Sequence, residues 1–166
     1  MSSRYTEDQR SIQAMKASVL LTEAARLCKI PIEVIAFDHV VFTLKKFEDS
    51  LTKDIEKKMA RYIIEADGDN AIIKVYPVTK LPAQPRRHKF MFLITDGGED
   101  DRRQAREVTD KFCKKHDITP YMIMIGNDDY QYIDPPFSSR MKDASGLVNN
   151  VAEAMGKIVK GQLKYK

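Results

Sequence analysis

The sequence predicts a layered, doubly wound α/β domain: a mostly parallel sheet with helices on both faces and one antiparallel edge strand. Three observations carry this. Helical stretches with a single apolar stripe alternate with short strands along the chain. Two of those strands, Phe90–Thr95 and Thr119–Ile125, are apolar at both parities, as strands buried on both faces are. A third pair, Ile32–Phe37 and Val40–Phe47, is separated only by Asp38-His39, which predicts a hairpin. The 166 residues suit one domain, 1–166.

The elements follow in order. From Tyr5 to Lys29, Ile12, Met15, Val19, Leu20, Ala24 and Leu27 recur at helical spacing. Thr6 with Gln9 suits a cap, and Pro31 is a stop. In the hairpin, Val41, Thr43 and Lys45 alternate with Val40, Phe42 and Leu44. Leu51, Ile55, Met59 and Ile63 step by four through a second helix, Leu51–Ala66, whose other face carries Lys and Glu. Asp67-Gly68-Asp69-Asn70 breaks the chain before a poorer helix, Ala71–Lys80, interrupted by Pro77. Pro82 and Pro85 mark a loop up to the Phe90 strand. A charged helix, Asp100–His116, turns Ala105, Val108 and Phe112 inward. After the Thr119 strand, Tyr130–Ser139 with Pro135-Pro136 reads as a loop. Ser145–Gln162 closes the chain as a helix with Leu147, Val151, Met155 and Ile158 on its buried side.

Composition excludes several classes. The longest apolar runs fall far short of the ~20 residues of a membrane span, and Met1–Arg10 lacks the apolar core of a secretory signal. Cys28 and Cys113 read as two buried free thiols in a reducing, cytoplasmic setting. His39, His88 and His116 are isolated, so no zinc spacing exists. A net charge of +4 is too mild to call for nucleic acid. The basic run Arg86-Arg87-His88-Lys89 lacks interleaved aromatics. It reads as a solvated loop, with a phosphate or partner contact as the sharper option.

Candidate chemistry lies at the carboxyl ends of the strands, where open α/β sheets bind ligands. Thr95 and Asp96 end the most apolar strand, and Gly97-Gly98 lets the backbone turn away. A carboxylate there suits a hard cation such as Mg²⁺, and suits equally a helix cap. Asp67 and Asp69, two apart beside Gly68, suit either an oxygen-ligand site or a turn. Asp128-Asp129 reads as a loop. No nucleophilic triad and no phosphate-cradling glycine loop occurs.

The hairpin block, Asp67-Gly68-Asp69 and Phe90-Met-Phe-Leu-Ile-Thr-Asp-Gly97 together resemble a von Willebrand factor A domain, with a Rossmann-like sheet. The flavour is that of cobaltochelatase T-type subunits. The resemblance implies a protein-interaction module with a metal-ion-dependent adhesion site. Asp96 would act through a bound water, Asp67 or Asp69 would supply the second loop, and Thr95 and Gly97 would border the cation, usually Mg²⁺. It also implies an AAA+ ATPase as partner, and at most a non-catalytic subunit of a chelatase-like complex rather than an enzyme.

The family's first loop, Asp-x-Ser-x-Ser, does not occur in the sequence. The reading is therefore that the family's central first strand lies upstream of Met1, leaving an unfilled position in the sheet. A replacement strand from a partner, or a second copy, would fill that position, and Mg²⁺ binding by this chain alone would be weak or absent. Two alternatives stand beside this reading. One is a Mg²⁺-dependent phosphoacceptor on a flavodoxin-like sheet, disfavoured because no lysine follows the Thr119 strand. The other is a structural A-like domain without metal.

Overall fold

The computed structural model describes residues 3–37, 40–65, 75–76, 88–95, 102–125, 131–141, 146–161 and 165. In chain order the elements are α1 (Ser3–Leu27), β1 (Val34–Phe37), β2 (Val41–Lys45), α2 (Lys53–Glu65), β3 (Lys89–Thr95), α3 (Arg102–His116), β4 (Ile118–Ile125), β5 (Ser138–Met141) and α4 (Leu147–Val159).

β3, β4 and β5 form a parallel sheet in that order, with Leu93 opposite Met122 and Met122 opposite Ser138. The pleat of β4 sends alternate residues to opposite faces. Met122 and Met124 join Leu93 beneath Ala105, Val108 and Phe112 of α3. Tyr121 and Ile123 join Phe92, Ile94 and Met141 beneath Ala17 and Leu21 of α1 and Val151 and Met155 of α4. One sheet with helices on both faces is the doubly wound arrangement expected.

The strand flanked and covered on every side is β4, whose Tyr121–Ile125 are all at most 5% exposed. β3, expected like β4 to be buried on both faces, is half-buried at Phe90, Met91, Phe92 and Ile94. The physical reason is its position: one of its edges pairs with β4, and the other pairs with no strand among the described residues.

The hairpin forms as expected, but as its own two-stranded ladder, β1 antiparallel to β2. Among the described residues it forms no ladder with the parallel sheet. Its Ile35, Phe37 and Val41 nevertheless pack against the same cluster as Phe90 and Met91. Two ladders thus share one core. The turn Asp38-His39 lies outside the described residues. Within the hairpin, Val34 pairs with Lys45 but Ile35 pairs with Thr43. Leu44 is therefore the extra residue of a β-bulge. The bulge breaks the strict alternation, so Leu44 and Lys45 are both buried.

Several boundaries differ from expectation for identifiable reasons. α1 already runs from Ser3, so Thr6 stands inside the helix rather than at its cap. It ends before Pro31: Lys29 adopts φ 56° and the Ile30 amide bonds the Ala25 carbonyl, a left-handed C-terminal closure. Its closest packing uses small residues, Ala17 and Thr22 at 1% exposure, while Ile12, Leu20 and Leu27 are exposed. In α3 the most buried positions are Ala105, Thr109 and Cys113. Thr52 caps α2, its Oγ1 accepting the Ile55 amide at 3.3 Å.

β5 was unforeseen, because Ser-Ser-Arg-Met carries no strand pattern of its own and is held by pairing to β4. Of the expected Ala71–Lys80 helix only Val75 and Tyr76 are described; both are buried, with Tyr76 stacked on Phe112. The Tyr76 and Thr109 hydroxyls are 2.5 Å apart. Since Thr109 donates its one hydrogen to the Ala105 carbonyl at 2.7 Å, the Tyr76 hydroxyl is the donor of that pair.

The packing predicts where truncation costs most. Met59 of α2 is fully buried. Met59→Ala should destabilise the domain by about 2–5 kcal/mol in urea unfolding. Ile12→Ala, at an exposed position, should cost about 0.5 kcal/mol or less.

Candidate functional site

The carboxyl ends of β3, β4 and β5 form one rim, since all three strands are parallel. Thr95 is the last residue of β3 and lies opposite Met124. It is buried, on the same pleat face as Leu93, so the strand is held to its final residue. The other expected site residues, Asp96, Gly97, Asp67 and Asp69, lie outside the described residues, as do Asp128 and Asp129. Among the described residues, no group of three or more His, Cys, Asp or Glu side chains is placed to hold a metal ion. The donor set expected of a cation site, Asp96 with Asp67 or Asp69, is all oxygen and by its chemistry fits Mg²⁺ or another hard cation.

Below the rim, residues 131–137, which lead into β5, are held by polar contacts. Gln131 Nε2 donates to the Ile133 carbonyl at 2.8 Å and also to the Ser138 hydroxyl. The Met122 amide bonds the Phe137 carbonyl at 2.9 Å. Arg106 pairs with Asp134 at 3.0 Å, tying α3 to this connection. Tyr165 donates to Asp110 of α3 and packs edge-on against Phe137. Of the basic run, His88 is exposed and Lys89 is the first residue of β3, its ammonium bonded to the His116 carbonyl at 3.0 Å. Lys89 is thus a strand-start anchor rather than part of a free basic loop.

The cysteines divide. Cys28 is exposed, contrary to expectation, and follows Leu27, the last residue of α1, which is itself exposed. Cys113 is buried on α3, and burial, with the nearby Asp110 carboxylate, pushes its thiol up to about 12. A thiol so protonated is no nucleophile at neutral pH. Lys45 was not foreseen as buried; the signal for it was the bulge, which the alternating pattern of the strand conceals.

No protein-family model matches the sequence, and no curated protein matches it. A search of solved structures does find a likeness, to the manganese-loaded TRAP protein of Plasmodium vivax. The match has a TM-score of 0.56 and 16% identity, and covers 74% of this chain. The fold is von Willebrand factor A-like. The likeness does not extend to the cobaltochelatase T-type flavour, and this chain spans 56% of the TRAP chain it matches. Manganese belongs to that protein's crystal structure. Among the described residues, no helix is long and apolar enough to cross a membrane.

The Cys113 environment sets a pH dependence. In the unfolded chain the thiol ionises near its ordinary value of 9, whereas in the folded chain it holds its proton to about 12. Between these values the folded state binds more protons, so stability should fall as pH rises across that window, having been fully present below it. Cys113→Ala should flatten this part of the alkaline unfolding profile. In native protein at neutral pH, a thiol reagent should label Cys28 and spare Cys113.

Proposed function

We infer that this chain is a protein-interaction module that takes an extended segment of a partner against its sheet. One observation carries the reading: β1 and the Phe90–Ile94 stretch of β3 each have a second edge that no strand among the described residues pairs with, while their side chains pack into one shared core. Unpaired strand edges are templates for adding a strand. A half-buried β3 flanking a β4 buried from Pro120 to Ile125 is what an incompletely covered sheet position looks like. A partner strand there would satisfy backbone groups and cover Phe90, Phe92 and Ile94 together. A second copy of the chain can serve the same edges, giving self-association through the open sheet position.

The finer reading adds a divalent cation at the rim, held by Asp96 with Asp67 or Asp69 and bordered by Thr95 and Gly97. A partner carboxylate would complete its coordination. The von Willebrand factor A-like fold and the donor chemistry support it. The T-type resemblance makes an AAA+ ATPase the partner class to test first. On this reading the chain is not itself an enzyme.

Hydrogen exchange tests the module. Amides of Val34–Phe37 and Phe90–Ile94 should gain protection as protein concentration rises or a partner binds, while β4 stays equally protected throughout. Concentration-independent exchange at both edges, with no partner-induced protection, would contradict it. Calorimetric titration with Mg²⁺ tests the cation. With no Asp-x-Ser-x-Ser donors in the sequence, binding should be weaker than micromolar and lost in Asp96→Ala; micromolar affinity would overturn that expectation.

A further inference from the structure

The bulge in the hairpin has a chemical consequence. By inserting Leu44 it re-aims Lys45 inward, so that a lysine ending a strand is only 5% exposed. Its ammonium donates to the Ile32 and Lys46 carbonyls, each at 2.9 Å. Both partners are neutral, and an ammonium has three donors. A buried charge is ordinarily paired with an opposite charge, because desolvating it alone is costly.

Lys45 lines a groove of about 390 Å³ between the end of α1, the start of β1, the end of β2 and the approach to α2. Arg26 and Lys29 also line it, against a single carboxylate, Asp49. Asp49 is exposed and its Oδ2 already accepts the Lys46 amide at 2.9 Å. Arg26 spends its Nε on Glu23 at 2.8 Å, which leaves its terminal guanidinium nitrogens for another acceptor. Basic residues at the end of α1 complement the helix dipole without further explanation. The buried Lys45 is not explained that way, since it belongs to β2. The remaining walls are the hydroxyl residues Thr22 and Ser50 and the apolar Ile30, Pro31, Ile32, Phe47 and Leu51.

We propose that this groove is a binding site for a small organic phosphate, with Lys45 at its base, Arg26 and Lys29 at its mouth, and the apolar walls around the ligand's body. The volume falls within the range of small-molecule sites, which combine apolar walls with a few placed polar groups. A phosphoryl group supplies the negative charge that Lys45 lacks and accepts from a guanidinium in charge-assisted hydrogen bonds. The site lies at the end of α1 and is independent of the open strand edges and of any rim cation.

Amide chemical-shift titration with inorganic phosphate and with phenyl phosphate tests the proposal. Both should give saturable shifts centred on Ile30, Lys45 and Leu51. Phenyl phosphate should bind several-fold tighter, because Phe47, Ile30 and Leu51 then contribute. Arg26→Gln and Lys29→Gln, both at exposed positions that leave the fold intact, should each weaken binding several-fold, and Lys45→Met should abolish it. Raised monovalent salt should weaken binding at the mouth. Non-saturable shifts, shifts scattered over surface lysines, or unchanged affinity in both Arg26→Gln and Lys29→Gln would overturn it. In that case Lys45 is only a clamp joining the end of β2 to the segment before β1.

Discussion

The parallel pairing of β4 with β3 on one side and β5 on the other is the constraint on which the rest depends. A central parallel strand has all its backbone groups paired, so it tolerates burial on both faces. That burial forces Tyr121–Ile125 to be apolar at both parities, and it leaves α3 to cover one face and α1 with α4 the other. Each helix then needs only one apolar stripe. α1, packing closely through Ala17 and Thr22, can expose larger residues elsewhere. Even Pro120 fits this logic. It stands in β4 before β5 pairing begins at Met122, where fewer ladder bonds are asked of the strand.

The same constraint explains why the molecule has two ladders over one core. The hairpin reaches the α3-side cluster through Ile35, Phe37 and Val41, so hydrophobic burial unites it with the parallel sheet where hydrogen bonding does not. Side-chain burial is non-directional, whereas strand pairing is not. Shared core with separate ladders leaves β1 and β3 each with an edge that no strand among the described residues pairs with.

Most of the architecture was legible in the residues. Long period-3.6 stripes gave α1 and α2, and continuous apolar runs gave β3 and β4. What escaped was set by neighbours rather than by local pattern. β5 is a strand because β4 pairs with it, not because Ser-Ser-Arg-Met favours one. β4 rather than β3 is the buried centre, because rank within a sheet depends on which edges are paired. Lys45 is buried because a bulge at Leu44 shifts the pleat by one residue, which an alternation count cannot register. Of the rim site, the end of β3 at Thr95 was foreseen and is buried as a strand terminus. The aspartates that would supply its chemistry lie beyond the described residues. Their role rests on donor type and on order along the chain.

β1 and β3 each carry an edge that no strand among the described residues pairs with, over a common core. Backbone proton–proton Overhauser contacts in the dilute chain test it most directly. Open edges predict cross-strand contacts for β1 with β2, β3 with β4 and β4 with β5, side-chain contacts from Ile35 and Phe37 into the cluster around Met122, and no backbone ladder between β1 and β3. A continuous set of backbone contacts joining β1 directly to β3 would close both edges and contradict it.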